Sequence, residues 1–238
     1  MMKEIIAAGL SEMGLADKVP QNAPELLEAY GKALLEKNQV MNLTAIREED
    51  KVAQLHMLDC AALLNYADFA GKTLIDVGTG AGFPGLPLKI LSPTLDVTLL
   101  DSLNKRVDCL NEVSAQLGLT NVRAIHARAE EKAQGKGFRD SFDFATARAV
   151  AELRLLCELC LPYVKVGGYF LSMKSVDSDK ELEDAAHCIK FLGGRVAGVH
   201  DYTIPGTDVS HRLVVIQKVA PTLKGYPRRW ANIQKKPL

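Results

Sequence analysis

A chain of 238 residues is long enough for one main domain with a sizeable core and too short for two full catalytic domains. Hydrophobic residues make up 47% and charged residues 24%, with 29 basic against 29 acidic, which excludes global disorder. Five irregularly spaced cysteines argue against a disulfide framework, and no segment reaches the roughly 18 apolar residues of a membrane span. We therefore expect a cytoplasmic protein with reduced thiols and no membrane partner, and, because no exposed edge or heptad pattern suggests association, a monomer.

Two helical patterns precede the first predicted strand. Apolar residues in segment 22–44 recur on one helical face, and Asn22 followed by Glu25 is typical of a capping box. A second helical pattern covers residues 48–66. We expect residues 1–70 to form a helical cap on the main domain.

Short β-rich runs separated by helical patterns follow Lys72. This alternation is typical of right-handed βαβ units on a parallel sheet, whereas the last two runs lack an intervening helix and predict an antiparallel hairpin. The seven runs are 73–78, 95–101, 121–127, 141–147, 167–174, 195–204 and 211–219. The predicted fold class is α/β, a Rossmann-like and mostly parallel seven-stranded sheet, in a domain over 71–219 that precedes a basic tail over 220–238.

Cysteine and histidine patterns predict no metal site. Cys157 and Cys160 form a C-x-x-C among apolar neighbours without a second pair of ligands, and the five histidines are dispersed. We expect these cysteines to pack inside a buried helix.

The glycine-rich segment after the first strand, 76–85 (DVGTGAGFPG), contains a formal G-x-G-x-x-G at 80–85. The strand ends at Gly78, two residues before that frame begins, and Pro84 removes a backbone donor that a pyrophosphate would need. A frame starting at Asp76 fits the strand better, with glycines at every second position from Gly78. It favours S-adenosylmethionine, which has no phosphate, over NAD.

Asp101 ends the second predicted strand, 23 residues after Gly78. A carboxylate at the carboxyl edge of a parallel sheet can accept both ribose hydroxyls of a nucleoside, in NAD as well as in S-adenosylmethionine. The alternative is a local role at the start of the following helix.

A βαβ run closed by a hairpin, with D-V-G-T-G and an acidic end of the second strand, resembles the class I S-adenosylmethionine-dependent methyltransferases. Further motifs occur from about residue 25 onward: NLT at 42–44, H-x-x-D at 56–59, LIDVGTGAGFPGLPLKI, LLDSLNKR, HARAEE, FATARAVA, Met173-Lys174 and YPRR. With these motifs the chain more closely resembles the RsmG (GidB) family of bacterial 16S ribosomal RNA guanine-N7 methyltransferases. Two departures are Cys60, where a serine is expected, and segment 230–233, where Gly-x-Pro is expected.

The resemblance, together with the glycine frame, implies a cofactor site. Its expected residues are Gly78, Gly80, Gly82, Phe83, Asp101, Ala129, Glu130 and Arg148. At the end of the fourth strand, the guanidinium of Arg148 can hold the cofactor carboxylate or the O6–N7 edge of guanine, the alternative being an ion pair with Glu152. No residue is a certain catalytic group; Arg148 and Lys174 are candidates for positioning.

The chemistry of N7 methylation fits what the sequence lacks. A ring nitrogen is nucleophilic without losing a proton, so positioning matters more than a general base. The loop after the fourth strand reads TARA at 146–149 rather than the Asn/Asp-Pro-Pro-aromatic motif of amine methylation, and no Pro-Cys pair serves pyrimidine C5 methylation.

Charge is distributed unevenly and points to RNA. The last 20 residues hold five basic residues and no acidic one, which leaves 24 basic and 29 acidic residues in the first 218. Basic residues interleaved with aromatics are typical of RNA-binding segments, the alternative being a disordered basic terminus. The residues expected to bind RNA are Lys174, Arg212, Arg228, Arg229 and Trp230.

The sequence thus predicts a methyltransferase that uses S-adenosylmethionine on guanine N7 in the 530-loop region of 16S ribosomal RNA, with that RNA or the small ribosomal subunit as partner. A methyltransferase for a small metabolite and an NAD-binding oxidoreductase remain as alternatives. The charge asymmetry favours RNA over a metabolite.

Overall fold

A seven-stranded sheet organises the computed structural model, which describes residues 1–148 and 150–238. The strand order is β3-β2-β1-β4-β5-β7-β6, with β1 to β5 parallel and the β6–β7 hairpin antiparallel. This arrangement confirms the predicted fold class. The strands are β1 Thr73–Val77, β2 Asp96–Asp101, β3 Val122–His126, β4 Phe142–Arg148, β5 Val164–Ser175, β6 Gly194–Thr203 and β7 Ser210–Lys218.

Helices cover both faces of the sheet. The cap contains α1 Met2–Glu12, α2 Ala23–Met41, α3 Glu49–Val52, a π-helical segment Ala53–Leu58, α4 Asp59–Ala61 and a 3₁₀ turn Ala62–Asn65. Between and after the strands lie α5 Gly85–Leu91, α6 Asn104–Gln116, α7 Ala129–Lys132, α8 Leu153–Cys160, a 3₁₀ turn Leu161–Tyr163, α9 Asp179–Phe191 and α10 Trp230–Lys235.

Alternation along each strand divides the core between the two faces. Leu74 packs into a cluster with the helical cap, α5 and α6, whereas its neighbour Ile75 packs with α8, α9 and α10. This is the period-2 pattern of a strand that is buried on both sides. Cap helices and one face of the sheet share an apolar cluster, and the cap reaches the carboxyl edge of the sheet where Tyr30 contacts Ala81 and Asp59 contacts Arg148.

The start of α2 differs from its prediction. Asn22 makes no side-chain capping hydrogen bond, and the helix instead begins with Pro24 in its first turn. Proline is favoured there because its missing N–H would have no helical partner in any case. The predicted capping box is therefore wrong.

The order of the strands places a crevice beside β1. Chain connections run outward in one direction through β2 and β3 and in the other through β4 and β5. Ligands of open α/β sheets bind at such a reversal, outside the carboxyl ends of the strands. The turn after β1 and the ends of β2 and β4 are therefore the first place to seek a site.

The last 20 residues pack on the domain and do not form a disordered terminus. Ile233 on α10 is fully buried against the α8 side of the core. The Arg139 guanidinium donates hydrogen bonds to the carbonyl oxygens of Thr222 and Tyr226, at 2.8 and 2.6 Å. The tail is therefore part of the folded domain.

Lys218 secures the point where the tail leaves β7. Its side chain is fully buried, and its Nζ lies 2.7 Å from Asp140 Oδ1, 2.7 Å from the Leu161 carbonyl oxygen and 2.7 Å from Thr222 Oγ1. Burial lowers the pKa of this ammonium, while Asp140 opposes the shift. A buried ammonium is tolerated only when acceptors surround it in this way.

Replacing this lysine should therefore destabilise the fold. We expect Lys218→Met to lower the free energy of unfolding by about 3 kcal/mol, because it leaves a carboxylate and buried oxygens without their donor. Urea denaturation measures the change. The exposed Lys224, six residues on, is the matched control, and Lys224→Met should shift stability by no more than about 0.5 kcal/mol. Equal stabilities of the two variants would contradict an anchoring role for Lys218.

Within the described ranges, no helix is both long and apolar enough to cross a bilayer. The same residues contain no grouping of three or more histidine, cysteine, aspartate and glutamate side chains that could hold a metal ion.

Candidate functional site

The turn after β1 is built around the carboxylate of Asp76. This side chain is fully buried and accepts hydrogen bonds from the Thr79 hydroxyl at 2.6 Å, the Gly85 N–H at 3.0 Å and the Thr146 hydroxyl at 3.2 Å. Burial raises the pKa of Asp76 to about 6, against the effect of these donors. Asp76 therefore shapes the turn and ties it to β4, and does not face a ligand.

The three glycines of the turn have different structural reasons. All have positive φ, at 70°, 59° and 103° for Gly78, Gly80 and Gly82. A Cβ on Gly78 would lie 2.9 Å from Val150, across the cavity, whereas a Cβ on Gly82 would lie 2.6 Å from the hydroxyl of Tyr30. The structure therefore brings Gly78 and Gly80 to the cavity, while Gly82 faces the packed helical cap.

Two adjoining cavities form a trough along the strand ends. The first has a volume of about 200 Å³ and the second about 390 Å³. Both are lined by Gly78, Asp101, Ser102 and Val150. The first also contains Ala127, Arg128, Ala129, Glu130, Leu159 and Trp230, and the second Leu43, Thr44, His56, Thr79, Gly80, Ala81, Phe83, Arg106 and Arg148.

Asp101 lies at the junction of the cavities and also braces the turn. Its Oδ2 accepts the N–H of Gly80 at 2.9 Å and its Oδ1 accepts that of Leu103 at 2.9 Å, while Arg106 lies 3.5 Å from Oδ2. A carboxylate has about four acceptor positions, so hydrogen-bonding capacity remains. Both of the roles expected of Asp101, local bracing and ligand contact, are compatible with this geometry.

Arg148 is held by the helical cap and not by Glu152. Its Nη1 lies 3.1 Å from Asp59 Oδ2, and its Nη2 lies 3.0 Å from His56 Nδ1. The guanidinium also lies over the ring of Phe83, 4.6 Å from its centroid. The alternative prediction, an ion pair between Arg148 and Glu152, is therefore wrong, because the partner is Asp59.

His56 is buried in its neutral form. Its ring stacks on Phe83 at 4.4 Å between centroids, and its Nε2 lies 2.8 Å from the Thr44 hydroxyl. Burial, and then the positive charge of Arg148, lower the pKa of His56 to about 4. A guanidinium can only donate, so the contact of Arg148 with Nδ1 favours the tautomer that carries its proton on Nε2, which is then donated to Thr44. In that tautomer the Leu55 carbonyl oxygen, 3.1 Å from Nδ1, accepts from Arg148 and not from the imidazole.

The remaining oxygen of Asp59 connects the site to the β6–β7 hairpin. Asp59 Oδ1 accepts hydrogen bonds from the Tyr202 hydroxyl and from His211 Nδ1, both at 2.8 Å. His56 lies in the π-helical segment, and Asp59 is the first residue after that segment. Short π-helical segments are frequent at functional sites. The sequence showed this pair as H-x-x-D, but it gave no indication that Arg148 or the hairpin was the partner.

Two cations of the sheet that were expected to bind RNA have protein partners. Arg212 pairs with Asp179 and Asp201, each at 2.6 Å, and Lys174 lies 2.6 Å from Glu181 and 2.7 Å from the Ala151 carbonyl oxygen. Their charges are used to hold the hairpin and the loop after β4. These ion pairs argue against both residues as free ligands of phosphate, and their role in RNA binding stays a prediction.

The three tail residues predicted to bind RNA have different environments in the structure. Arg228 pairs with the buried Glu158, its Nη2 lying 2.6 Å from Oε2, so it too is engaged within the fold. Trp230 lines the first cavity rather than projecting into solvent. Arg229 alone of the three is exposed.

The trough suits S-adenosylmethionine better than a dinucleotide. Its first cavity is largely apolar, a carboxylate lies in the middle and a guanidinium lies at the far end, which matches a heterocycle, a ribose diol and an amino-acid carboxylate. The first N–H of α5 is taken by Asp76 and the next, from Leu86, by the Gly82 carbonyl oxygen, so neither is free to bind a pyrophosphate. A Cβ at Gly78 would narrow the trough at its junction.

Comparison with known proteins gives the same class. The family model described as rRNA small subunit methyltransferase G matches residues 23–208. Ribosomal RNA small subunit methyltransferase G of Clostridium perfringens (strain 13 / Type A) is 48% identical over 210 residues, 88% of each chain. The protein of the same name from Alkaliphilus metalliredigens is 46% identical, covering 99% of this chain and 98% of its own.

Solved structures share the fold at low sequence identity. A S-adenosylmethionine-dependent methyltransferase from Aquifex aeolicus matches with a TM-score of 0.53 at 20% identity, covering 71% of this chain and 93% of its own. M. jannaschii TYW2, solved with S-adenosylmethionine, matches with a TM-score of 0.54 at 14% identity, covering 69% of this chain and 76% of its own.

Sheet order, glycine turn and trough define a class I methyltransferase that uses S-adenosylmethionine. The identity to curated relatives over nearly the whole length goes further: the chain belongs to the rRNA small subunit methyltransferase G family. This membership decides against the alternative of an NAD-binding oxidoreductase.

Blocking the trough at Gly78 should remove cofactor binding. In Gly78→Val the branched side chain would meet Val150, so we expect the affinity for S-adenosylhomocysteine to fall at least about 100-fold by calorimetry. Gly118→Val is the matched control, because Gly118 also has positive φ, at 64°, but no neighbour within 4 Å of a Cβ. It carries the same backbone strain and should bind normally. Equal affinities of the two variants would mean that the turn at Gly78 does not contact the cofactor.

The buried neutral His56 should impose a pH dependence on stability. Its pKa is 6.5 in an unfolded chain and about 4 in the fold, so the unfolded state takes up the proton first as pH falls. The free energy of unfolding therefore has its full value, as far as His56 is concerned, above pH 6.5. It decreases by about 3 kcal/mol as the pH falls to 4.

Comparison with His56→Gln isolates this contribution from those of other groups. Asp76, whose raised pKa acts in the opposite direction, titrates in both proteins and largely cancels in the difference. We expect the difference in unfolding free energy, wild type minus variant, to decrease by about 3 kcal/mol between pH 7 and pH 4. A difference that is constant over this range would show that His56 is not held neutral.

Proposed function

We propose that this protein transfers a methyl group from S-adenosylmethionine to N7 of a guanine in the 530-loop region of 16S ribosomal RNA. The proposal assigns it 16S ribosomal RNA, free or within the small subunit, as substrate, and the cytoplasm as location, with a monomer as the active form. Its main support is family membership together with a site whose acidic and imidazole groups are all engaged in hydrogen bonds.

Engaged carboxylates favour a target that needs no deprotonation. Asp59, Asp76 and Asp101 each accept at least two hydrogen bonds from the protein, and both ring nitrogens of His56 have partners. None of them is poised to remove a proton from an amine or a hydroxyl. Guanine N7 has a lone pair in the plane of the ring and loses no proton when it attacks.

The bound cofactor supplies a methyl group on a sulfonium, which an aligned lone pair can displace. The protein's task is orientation, which can supply most of the rate enhancement of such a reaction. Gly78 and Gly80 allow close approach to the turn, and the unused acceptor positions of Asp101 suit a ribose diol. Ala129 and Glu130 line the end of the trough beyond Asp101.

Arg148 is positioned to serve the opposite end. The protein uses three of its five N–H groups, in bonds to the Leu55 carbonyl oxygen, Asp59 and His56. Two N–H groups remain for a carboxylate of the cofactor or for the O6–N7 acceptor edge of guanine. Its contacts with Asp59 and Phe83 keep it in one orientation, as positioning catalysis requires.

The RNA surface that we propose is smaller than the basic composition of the tail suggests. Three basic residues in and directly flanking α10 are exposed: Arg229, Lys235 and Lys236. Arg106 and Arg128 line the two cavities as well. Each is paired with a carboxylate of the trough, Arg106 with Asp101 at 3.5 Å and Arg128 with Glu130 at 3.2 Å, but their side chains remain 35% and 46% exposed and accessible to phosphate. We assign the contact with RNA phosphates to these groups. Arg229 directly precedes Trp230, which lines the first cavity.

Mapping the methylated base tests this assignment. Protein and radiolabelled S-adenosylmethionine are incubated with unmodified 16S ribosomal RNA in one reaction and with unmodified small subunits in another. Borohydride and aniline treatment then cleaves RNA at N7-methylguanine. We expect cleavage at a single guanine of the 530 loop in at least one of the two substrates, and none with Gly78→Val.

The two substrates also show which form the enzyme accepts. Methylation of both substrates would show that the enzyme recognises the RNA without ribosomal proteins. Methylation of the small subunit alone would show that neighbouring parts of the assembled particle help to present the base. Incorporation at another nucleotide, at an exocyclic amine, or only into small molecules would refute the proposal.

A further inference from the structure

The C-terminal segment reaches the cofactor trough from the opposite end of the chain. Trp230, the first residue of α10, is half-buried and lines the first cavity together with Ala129, Glu130 and Leu159. It is the only tryptophan of the chain. It lies in segment 230–233, where the family resemblance leads us to expect Gly-x-Pro.

A buried ion pair fixes the position of this tryptophan. Glu158 on α8 is 1% exposed and accepts three hydrogen bonds from Arg228: from its backbone N–H at 2.9 Å, from Nε at 2.8 Å and from Nη2 at 2.6 Å. Paired guanidinium–carboxylate bonds of this kind are strong and directional. Glu158 directly precedes Leu159 of the cavity wall, so α8 both contributes a lining residue and anchors the segment that carries Trp230.

Further contacts hold the tail on either side of Trp230. Before it, Gln134 donates to the Pro227 carbonyl oxygen at 3.0 Å, and Arg139 binds the Tyr226 carbonyl oxygen at 2.6 Å. After it, Ile233 is fully buried in the core. Trp230 is therefore fixed from both sides and keeps its place at the cavity without a ligand to hold it.

The chemistry of this end of the trough suits a flat heterocycle. An indole, the side chains of Leu159 and Val150 and the glutamate Glu130 combine an aromatic face, apolar contacts and an acceptor for an amino group. Aromatic side chains stack on nucleobases because both present a π-face. Asp101, which suits a ribose, lies next to these residues at the junction of the cavities.

We propose that Trp230 is a cofactor-binding residue that forms the adenine-side wall of the trough, and that the Arg228–Glu158 pair positions it there. The inference rests on the assignment of S-adenosylmethionine as methyl donor. It replaces the sequence-based expectation that Trp230 stacks on a base of RNA and that Arg228 binds an RNA phosphate.

The sole tryptophan provides a direct spectroscopic test. Wild-type protein is titrated with S-adenosylhomocysteine while indole emission and, separately, the heat of binding are recorded. We expect emission to change saturably, with the same dissociation constant as in calorimetry. Trp230→Ala should bind S-adenosylhomocysteine about ten- to a hundred-fold more weakly, and Trp230→Phe should retain most of the affinity.

Two further variants separate the wall from its support. Arg228→Met should weaken binding less than Trp230→Ala does and shift the emission of the ligand-free protein to longer wavelength, because the indole loses its fixed position. Gln234→Ala, an exposed position on the same helix, should leave both emission and affinity unchanged.

Each result has a distinct meaning. Calorimetric binding with no change in emission, or an unchanged affinity in Trp230→Ala, would overturn this inference and leave the proposed function standing. Normal cofactor affinity with weaker RNA binding in Trp230→Ala would restore the RNA-stacking interpretation in its place. A wild-type protein that does not bind S-adenosylhomocysteine at all would overturn both the methyl-donor assignment and the inference.

Discussion

The buried ion pair between Asp59 and Arg148 connects the three parts of the molecule that meet at the site. Asp59 belongs to the helical cap and is 1% exposed, Arg148 ends β4, and the hairpin contributes Tyr202 and His211. Burial by itself would raise the pKa of Asp59, yet the hydrogen bond from His211 and the charge of Arg148 hold it below its ordinary value. Removing either charge would leave the other desolvated and unpaired, which is far more costly than losing an exposed ion pair.

This pair also explains why the cap is required beside a sheet that already forms a nucleotide crevice. In the turn after β1 and at the end of β2, Asp76 and Asp101 are satisfied by donors of the turns and strands themselves, and the cap adds only a hydrogen bond from the Tyr30 hydroxyl to the Ala81 carbonyl oxygen. The end of β4 is different, because a guanidinium there has no acceptor on its own strand. The cap supplies Asp59 and His56, and Phe83 covers the guanidinium from the turn. The cap thus converts a general ligand crevice into one with a fixed cation at one end.

The parts of the site predicted from sequence are those whose residues act locally. The glycine turn and Asp101 follow from strand ends and spacing, because backbone geometry at a parallel-sheet edge leaves few alternatives. Partners distant in sequence were not accessible in this way: Asp59 and Arg148 are 89 residues apart, and Glu158 and Arg228 are 70 apart. Composition shows that a tail is basic, but it does not show which of its cations already has a carboxylate in the fold.

That distinction changes the physical interpretation of the tail. Arg228 and Trp230 point into the domain, whereas Arg229 between them is exposed. Consecutive residues at the start of α10 therefore face opposite environments, one towards the cofactor trough and one towards solvent. If RNA is bound through Arg229, its phosphates lie directly beside the wall of the cofactor cavity. The same short helix would then border both substrate and cofactor, and the bonds of Arg228 to Glu158 hold the start of that helix at the cavity.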